Sequence, residues 1–340
     1  MKTRTFFQFA GPSMAMMFTL MALPLCITLY LSMRNCTLTM EMVTQTQSGP
    51  FGTEEVVSQQ AKLGADGKAV ESCKYVGLQY FRGVLGLDDT ASASSTNNTA
   101  KTGASSTDSK PSNEFIVALR FTLIYVLATT PFILLIGFLL ALGVNRASKR
   151  VKGLFITASL LPFIITPIVG SLSIKWLFRD NGLVPYLLGL VGIQLHWMAQ
   201  AWSAQLLIVL YGIWHVVPFA FIVLYAGLQS VPQEAVEAAH IDGATRWQTL
   251  RYVTIPSLMP LIVFITMIHV MDAYRVFEPV LVLTQGAFTT SVQYLTYNVL
   301  LQEGNPYKAS ASSVLTLFGI IVLLIPLLRK TWKEHVGEKR

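Results

Sequence analysis

The chain alternates between long apolar stretches and short polar connections. Six apolar stretches of 20 residues or more lie at positions 9–31, 115–144, 154–178, 202–228, 258–283 and 309–328. Because an α-helix rises about 1.5 Å per residue, about 20 apolar residues cross a hydrocarbon layer of about 30 Å. The pattern therefore predicts an all-α integral membrane protein with six transmembrane helices.

Two apolar runs allow a second interpretation. The first follows two basic residues, as the core of a signal peptide does. However, it is longer than the ~7 to 15 apolar residues of that core, and no small-residue cleavage site follows it. We therefore expect an uncleaved transmembrane helix within residues 1–33. A shorter run at 183–198 is interrupted by Pro185, Gly189 and Gly192, which favours an interfacial or re-entrant element.

One extended polar region, residues 34–113, separates the first apolar stretch from the other five. It holds seven basic and eight acidic residues and ends in a tract at 90–113 that is rich in Ser, Thr, Ala and Asn. Such a tract offers little apolar surface to bury, so we expect part of the region to be disordered. The chain is thus divided into an N-terminal helix (1–33), a polar loop (34–113) and a membrane core (114–340).

Composition and charge placement are typical of a membrane protein. The chain is 53% hydrophobic and 13% charged, whereas soluble domains have about 25% charged residues. Its net charge of +7 does not indicate nucleic-acid binding, because the basic residues follow the topology. Thirteen Lys and Arg lie in the termini and the connections at 145–153 and 229–256, against Arg179 and Lys308 in the opposite short connections. The positive-inside rule then places both termini in the cytoplasm and residues 34–113 outside.

Cysteine and histidine placement predicts a disulfide and no metal site. Cys36 and Cys73 share the external region, which is oxidising, so we expect them to be bonded, with Cys26 in the first helix left free. None of the three cysteines and five histidines falls at metal-ligand spacing. No phosphate loop with the Walker spacing is evident either, so we expect this chain to bind no cofactor.

A polar segment at 229–256 lies between the fourth and fifth apolar stretches. The acids Glu234 and Glu237 favour a helix start, small residues line the following turns, and Gly243 ends the helix. A second amphipathic piece follows, so the segment is predicted to form a helix, a glycine turn and another helix. On amphipathicity alone, an ordinary cytoplasmic connection fits equally well.

The spacing within this segment resembles a known signature. Glu237-Ala238-Ala239, three residues, Gly243, nine residues and Val253-Thr254-Ile255-Pro256 resemble the EAA signature of the membrane subunits of ABC importers. Ile241 to Ala244 and Gln248 resemble the carbohydrate branch, which includes maltose and glycerol-phosphate permeases. The resemblance implies that the loop is a coupling helix seated in a cleft of a cytoplasmic ATPase. The residues implied in coupling are Glu237, Ala238, Ala239, Asp242, Gly243, Ala244 and Pro256.

The resemblance covers most of the chain from Tyr75 to Lys330 and implies the fold of type I ABC importer permeases. The implied partners are a second permease subunit, two copies of an ATPase subunit, an extracytoplasmic substrate-binding protein and membrane lipid, with no nucleic acid. The implied function is ATP-driven import of a sugar or related polyol across a bacterial inner membrane. ATP and Mg²⁺ are then used by the ATPase, and this chain is not an enzyme.

Aromatic and polar residues within the helices are candidates for the translocation path. Sugar rings stack on Trp and Tyr while amides and carboxylates bind the hydroxyls, although such aromatics more often serve packing or the membrane interface. The candidates are Tyr211, Trp214, Tyr225, Asp272, Tyr274, Tyr294, Tyr297 and Asn298. Asp272 and Arg275 lie three residues apart on one helix face and are predicted to form a buried ion pair.

Other functional classes stay open at this point. The importer's substrate can instead be an amino acid, an oligopeptide or an ion. A secondary transporter is less favoured, because no internal repeat is evident and Asp272 is the only acid placed deep in a predicted helix. A membrane-anchored sensor with 34–113 as its ligand domain needs a cytoplasmic output domain, and only 11 residues follow Arg329.

Overall fold

The structure is a computed structural model that describes residues 3–38, 40–49, 52–61, 71–87, 114–192 and 196–337. The tract at 90–113, for which disorder was predicted, lies outside these residues. The chain forms two compact units, Met1–Ser112 with Val299–Leu315 and Asn113–Asn298 with Thr316–Arg340.

The first unit contains a long helix followed by a narrow β-ribbon. Its elements are α1 (Thr3–Ser32), β1 (Arg34–Leu38), β2 (Met40–Gly49), β3 (Gly52–Ala61), β4 (Glu71–Tyr75) and α2 (Gln79–Leu85). Strand β2 pairs with β3 and β1 pairs with β4, both antiparallel. The sequence did not predict these strands, because Thr, Gln, Ser and Glu dominate β2 and β3 and no apolar face marks a period of two.

A disulfide links the two strands at the base of the ribbon. Cys36 lies directly opposite Cys73 in the β1–β4 register and is bonded to it, which is the pairing that the sequence predicted. The Val76 N–H donates a hydrogen bond of 3.0 Å to the Met33 carbonyl, so the end of β4 lies beside the end of α1. Cys26 on α1 is exposed and free.

The second unit holds the helices that form the buried core. They are α3 (Glu114–Arg146), α4 (Lys149–Ile164), α5 (Pro167–Phe178), α6 (Leu183–Leu190), α7 (Ala201–Ser230), α8 (Gln233–Ile241), α9 (Arg246–Thr249) and α10 (Ile255–Tyr274). Two further helices, α11 (Val292–Leu301) and α12 (Pro306–Gly337), run through residues of both units. Short π-helical turns at Leu250–Thr254 and Val280–Thr284 flank α10.

Small residues allow α3 and α7 to pack closely. A Cβ added at Gly137 would lie 2.8 Å from the Ala220 Cβ, so any larger side chain there would push the two helices apart. Ile133, Phe221 and Ile265 are fully buried where α3, α7 and α10 pack together. These three helices form the rigid part of the unit.

Five helices in the described part of the chain are long and apolar enough to cross a bilayer. They are Gly11–Ser32, Glu114–Arg146, Ala201–Ser230, Arg246–Tyr274 and Pro306–Arg329. The sixth candidate is a helix pair, Lys152–Ile164 with Pro167–Leu190, that bends by 94°. The predicted continuous helix at 154–178 is therefore wrong. Thr166 precedes Pro167, which disfavours helical backbone at Thr166, and both Ile165 and Thr166 are extended.

The predicted helix at 258–283 is also interrupted. Helix α10 begins earlier, at Ile255, and ends at Tyr274, and helical structure resumes only at Glu278. Pro279 explains the break, because a proline ring in a helix clashes with the carbonyl four residues before it, here that of Arg275. The membrane part of the second unit thus contains two breaks, one at 165–166 and one at 275–277.

Candidate functional site

A cavity of about 380 Å³ lies between the two helix breaks and α7, with polar groups set in a largely apolar lining. The break at 165–166 contributes Phe163 and Pro167, and α7 contributes Tyr211 and His215. The end of α10 and the break after it contribute Asp272, Arg275 and Glu278. Aromatic rings and charged groups therefore face one space.

Two side chains of α7 hold the break in the third membrane element. The Tyr211 hydroxyl donates a hydrogen bond of 2.8 Å to the Pro167 carbonyl, and His215 Nδ1 lies 3.0 Å from the Pro162 carbonyl. The rings of Tyr211 and His215, one turn apart, stack nearly parallel with centroids 5.7 Å apart. The Pro162 carbonyl near the end of α4 thus finds a partner on α7, which a broken helix needs in an apolar medium. The Pro167 carbonyl lies at the start of α5 and also accepts a hydrogen bond of 2.6 Å from Ser171 Oγ, so Tyr211 adds a second donor there.

The charged residues of the cavity do not form the predicted ion pair. The salt bridges among the described residues join His196 to Asp180 and Lys308 to Glu303, so Asp272 and Arg275 interact electrostatically without direct contact. The prediction assumed a continuous helix through both positions. Because α10 ends at Tyr274, Arg275 no longer lies on the helical face of Asp272.

Only some of the predicted path residues line this cavity. Tyr211 and Asp272 do so, while Trp214 lies beside Tyr211 with a ring separation of 6.1 Å and is 42% exposed. Tyr274 is 1% exposed and packs on Gly319. It fills the core and does not line the cavity.

The other candidates also lie away from the cavity. Lys152 lies over the ring of Tyr225 at 4.9 Å. The Tyr294 hydroxyl donates to the Gln285 carbonyl at 2.7 Å, and the Tyr297 ring packs at 5.0 Å from that of Phe277. The Asn298 Oδ1 is buried without a hydrogen-bond partner in the described part of the chain.

Several residues that line the cavity were not predicted as path residues, among them His215, Glu278 and Tyr125. His215 and Glu278 carry the usual signal of a functional site, an ionisable group within or next to a membrane helix, and that signal was available in the sequence. Tyr125 carries no such signal. It faces the cavity only because its hydroxyl packs on Gly212 of α7, which no local pattern reveals.

The loop with the EAA-like signature folds as a helix, a glycine turn and a second helix, as predicted. Helix α8 ends in a Schellman motif, in which Ala244 N–H donates to the Ala239 carbonyl at 2.9 Å and Gly243 N–H to the His240 carbonyl at 3.1 Å. Gly243 has a φ of +80°, a left-handed conformation that favours glycine. The turn is therefore fixed by backbone hydrogen bonds.

A capping box starts the second helix immediately after this turn. Thr245 Oγ1 accepts a hydrogen bond of 3.3 Å from Gln248 N–H, and Gln248 Oε1 accepts one of 2.7 Å from Thr245 N–H. The Schellman motif that ends α8 is followed directly by the capping box that starts α9, so hydrogen bonds from backbone N–H groups define the shape of the loop within this chain. Gln248, noted from the resemblance, has this structural role.

The signature residues lie at the surface of the loop. Glu237, Ala238, Asp242, Gly243 and Pro256 are exposed, while Ala239 and Ala244 are half-buried. Large apolar side chains around them are also exposed, with Ile241 86%, Trp247 66% and Tyr252 70% accessible. An apolar surface of this kind on a polar loop is typical of a protein interface.

Residues 112–336 match the family described as the inner membrane component of binding-protein-dependent transport systems. The arabinooligosaccharides transport system permease protein AraP of Halalkalibacterium halodurans is 30% identical over 232 residues, 66% of this chain and 73% of that protein. The trehalose transport system permease protein SugA of Mycobacterium tuberculosis is 33% identical over 208 residues, 61% of this chain and 66% of that protein.

A solved structure shares the fold. A bacterial ABC transporter involved in the import of the acidic polysaccharide alginate aligns with a TM-score of 0.58 at 26% identity, covering 67% of this chain and 80% of that chain. The alignment confirms the predicted type I importer permease fold. Since the family match spans more than half of the chain, the chain belongs to the membrane permease subunits of binding-protein-dependent ABC importers, which are multi-pass transport proteins and not enzymes.

Proposed function

We propose that this chain is the permease subunit of an ATP-driven importer for a sugar or related polyol. The relatives named for arabinooligosaccharide and trehalose transport support a carbohydrate substrate. The cavity supports it chemically, because the half-buried His215 ring offers a stacking surface while Asp272, Arg275 and Glu278 offer acceptors and donors for hydroxyls.

The cavity forms one side of a translocation path that a second permease subunit completes. Asp272, Arg275 and Trp214 are all exposed in this chain alone, although they lie at membrane depth. Charged groups at that depth are costly against lipid and normally face a protein partner or an aqueous path. A second subunit, identical or different, shields them from lipid.

The exposed loop at 229–256 is the observation that carries this proposal. Its capped turn docks in a cytoplasmic ATPase subunit, present in two copies, which binds ATP and Mg²⁺. The π-turn at Leu250–Thr254 joins the loop to α10 without a gap, and α10 ends at the cavity. Displacement of the turn by the ATPase therefore moves Asp272 and Arg275 along with the helix.

The orientation follows from the distribution of basic residues. Both termini and the loop at 229–256 lie in the cytoplasm of a bacterial cell, with the chain in its inner membrane, and the β-ribbon lies outside. A substrate-binding protein delivers the sugar from that side. An aligned alginate transporter at 25% identity was crystallised with its alginate pentasaccharide-bound periplasmic protein, which supports such a partner here.

Reconstitution tests the function directly. The chain is purified with its co-expressed permease and ATPase subunits in lipid nanodiscs, and ATP hydrolysis is measured with each candidate binding protein, loaded or empty. We expect stimulation by a binding protein loaded with a sugar or polyol. Stimulation only by a protein loaded with an amino acid, a peptide or an ion refutes the carbohydrate assignment. Failure to co-purify with an ATPase refutes the coupling role.

A further inference from the structure

A second cavity lies where three membrane-spanning segments end on one side of the second unit. It has a volume of about 480 Å³ and is bounded by Leu142 and Arg146 at the end of α3, Leu228 at the end of α7 and Arg246 at the start of the fifth span. A hydrogen bond of 2.7 Å from Gln229 to Asn145 joins the ends of α3 and α7 beside it. The cavity is therefore at the level of the membrane surface.

The polar side of this cavity is basic. Arg146, Arg246 and His240 line it, and neither arginine takes part in a salt bridge with another described residue. No acidic side chain is among the described residues that line it. Two unpaired guanidinium groups around one space favour an anionic group, for which Arg offers paired donors.

Apolar side chains also line the cavity, namely Leu142, Leu228, Val231, Val236 and Leu250. A free inorganic anion gains nothing from such a wall, and a purely apolar molecule leaves the arginines unused. The combination matches an amphipathic anion whose charged end meets the arginines while its hydrocarbon lies against the leucines and valines.

We propose that this cavity binds the headgroup and upper acyl chain of an anionic phospholipid. Basic pockets between membrane helices at the membrane surface are suited to such headgroups. The lipid lies under α8 and α9, so it supports the loop that carries the exposed EAA-like residues. The inference depends on the spans lying in a bilayer and not on the substrate or on ATPase docking.

Lipid retention on the purified complete transporter tests the site. Delipidated complexes are titrated with phosphatidylglycerol or phosphatidylcholine, and bound lipid is counted by native mass spectrometry. We expect phosphatidylglycerol to bind more tightly, and the Arg146→Gln/Arg246→Gln double variant to bind it about 25-fold more weakly. This value assumes about a fivefold contribution from each basic residue at a membrane surface.

A matched variant separates a built site from diffuse attraction. Arg150 and Arg251 are exposed residues of the same two connections that do not line the cavity. The Arg150→Gln/Arg251→Gln variant removes the same charge and should retain phosphatidylglycerol within about twofold of the wild type. Equal loss from both double variants, or equal binding of the two lipids, overturns the proposal.

A filled cavity gives a second test in case the arginine variant fails to assemble. Leu228→Trp keeps both arginines and occupies the apolar side, so we expect it to lose phosphatidylglycerol while it retains the other subunits. Retention of the lipid by this variant contradicts the site. Displacement of the lipid by millimolar inorganic phosphate in the wild type shows a site for free anions and overturns the assignment to lipid.

Discussion

Asp272 and Arg275 share a cavity wall without touching, and this determines how their substitutions combine. Because they form no salt bridge but interact electrostatically, Asp272→Asn and Arg275→Gln should each lower substrate-stimulated ATP hydrolysis with only modest coupling. We expect a double-mutant cycle to give a coupling energy of about 0.5 to 1 kcal/mol, at the lower end of the range for neighbouring residues. A direct buried pair instead leaves one charge unpaired in each single variant, so the double variant then recovers activity. Recovery in the double variant contradicts the structure.

The sequence predicted the role of a residue only where its side chain is costly to bury in a membrane, as a charged group is. Asp272 was recognised because a carboxylate at that depth is costly. Tyr211 and Tyr274 were chosen on equal grounds, yet one hydrogen bonds at the cavity and the other packs on Gly319. Helices in lipid are apolar on all sides, so periodicity does not separate a core face from a path-facing one.

The disulfide at the base of the ribbon should stabilise the ribbon, which is proposed to lie outside the cell. Its 37-residue separation suggests a contribution of about 3 to 4 kcal/mol by restricting the unfolded chain. In intact cells, we expect a membrane-impermeant thiol reagent to label Cys36 and Cys73 of this chain only after the disulfide has been reduced. A Cys36→Ser variant should expose Cys73 to the reagent without reduction. Equal labelling of wild type with and without reductant contradicts the bond, and a Cys36→Ser/Cys73→Ser variant reports the background from Cys26.

The break at 165–166 gives a prediction for α7. Tyr211→Phe keeps the ring that stacks on His215 but removes the hydrogen bond to the Pro167 carbonyl. We expect a loss of about 1 kcal/mol in stability, seen as a lower midpoint of thermal unfolding, together with slower uptake. Tyr225→Phe is the control, since the structure gives the Tyr225 hydroxyl no contact with the break. Equal effects of the two substitutions show that the break does not depend on Tyr211.

Element positions could be predicted more reliably than element continuity. Long apolar runs located α3, α7 and α12 closely, because hydropathy and length alone decide whether a segment spans. Hydropathy did not reveal the two breaks within these runs, since residues such as Ile165 and Val276 are as apolar as their helical neighbours. Pro167 and Pro279 were the available signals, and prolines inside α3 and α7 that cause no such break made them ambiguous.

At the scale of the whole molecule, α10 connects the two functional regions. It follows the loop at 229–256 through the π-turn at Leu250–Thr254 and ends at the break that carries Arg275. His269 on the same helix hydrogen bonds to Thr129 of α3 at 2.9 Å near the cavity. Because α10 joins the loop to the cavity, movement of the loop is expected to reach the cavity through this helix.

The turn at Gly243 should be essential for coupling and dispensable for folding. A side chain there costs ~1 kcal/mol in backbone strain at φ +80°, but its Cβ meets no atom of the described residues within 4 Å. Gly243→Asp should therefore reach the membrane in normal amount, while its added bulk and charge lie on the surface proposed to dock the ATPase. We expect at least about tenfold loss of substrate-stimulated ATP hydrolysis and of uptake, beyond the effect of strain alone.

Gly192 offers a matched control for this prediction. It follows α6 and has a φ of +82°, and a Cβ there likewise meets no atom of the part of the chain that the structure describes within 4 Å. Gly192→Asp therefore imposes the same strain and adds the same charge outside the loop. Both variants are compared for expression, for co-purification with the ATPase and for ATP hydrolysis. Loss of ATPase co-purification or of ATP hydrolysis in Gly243→Asp but not in Gly192→Asp supports a docking surface at the turn. Glu237→Lys, on the exposed side of α8, should show the same loss. Wild-type transport by Gly243→Asp and Glu237→Lys contradicts the coupling role, because a passive connection tolerates both changes.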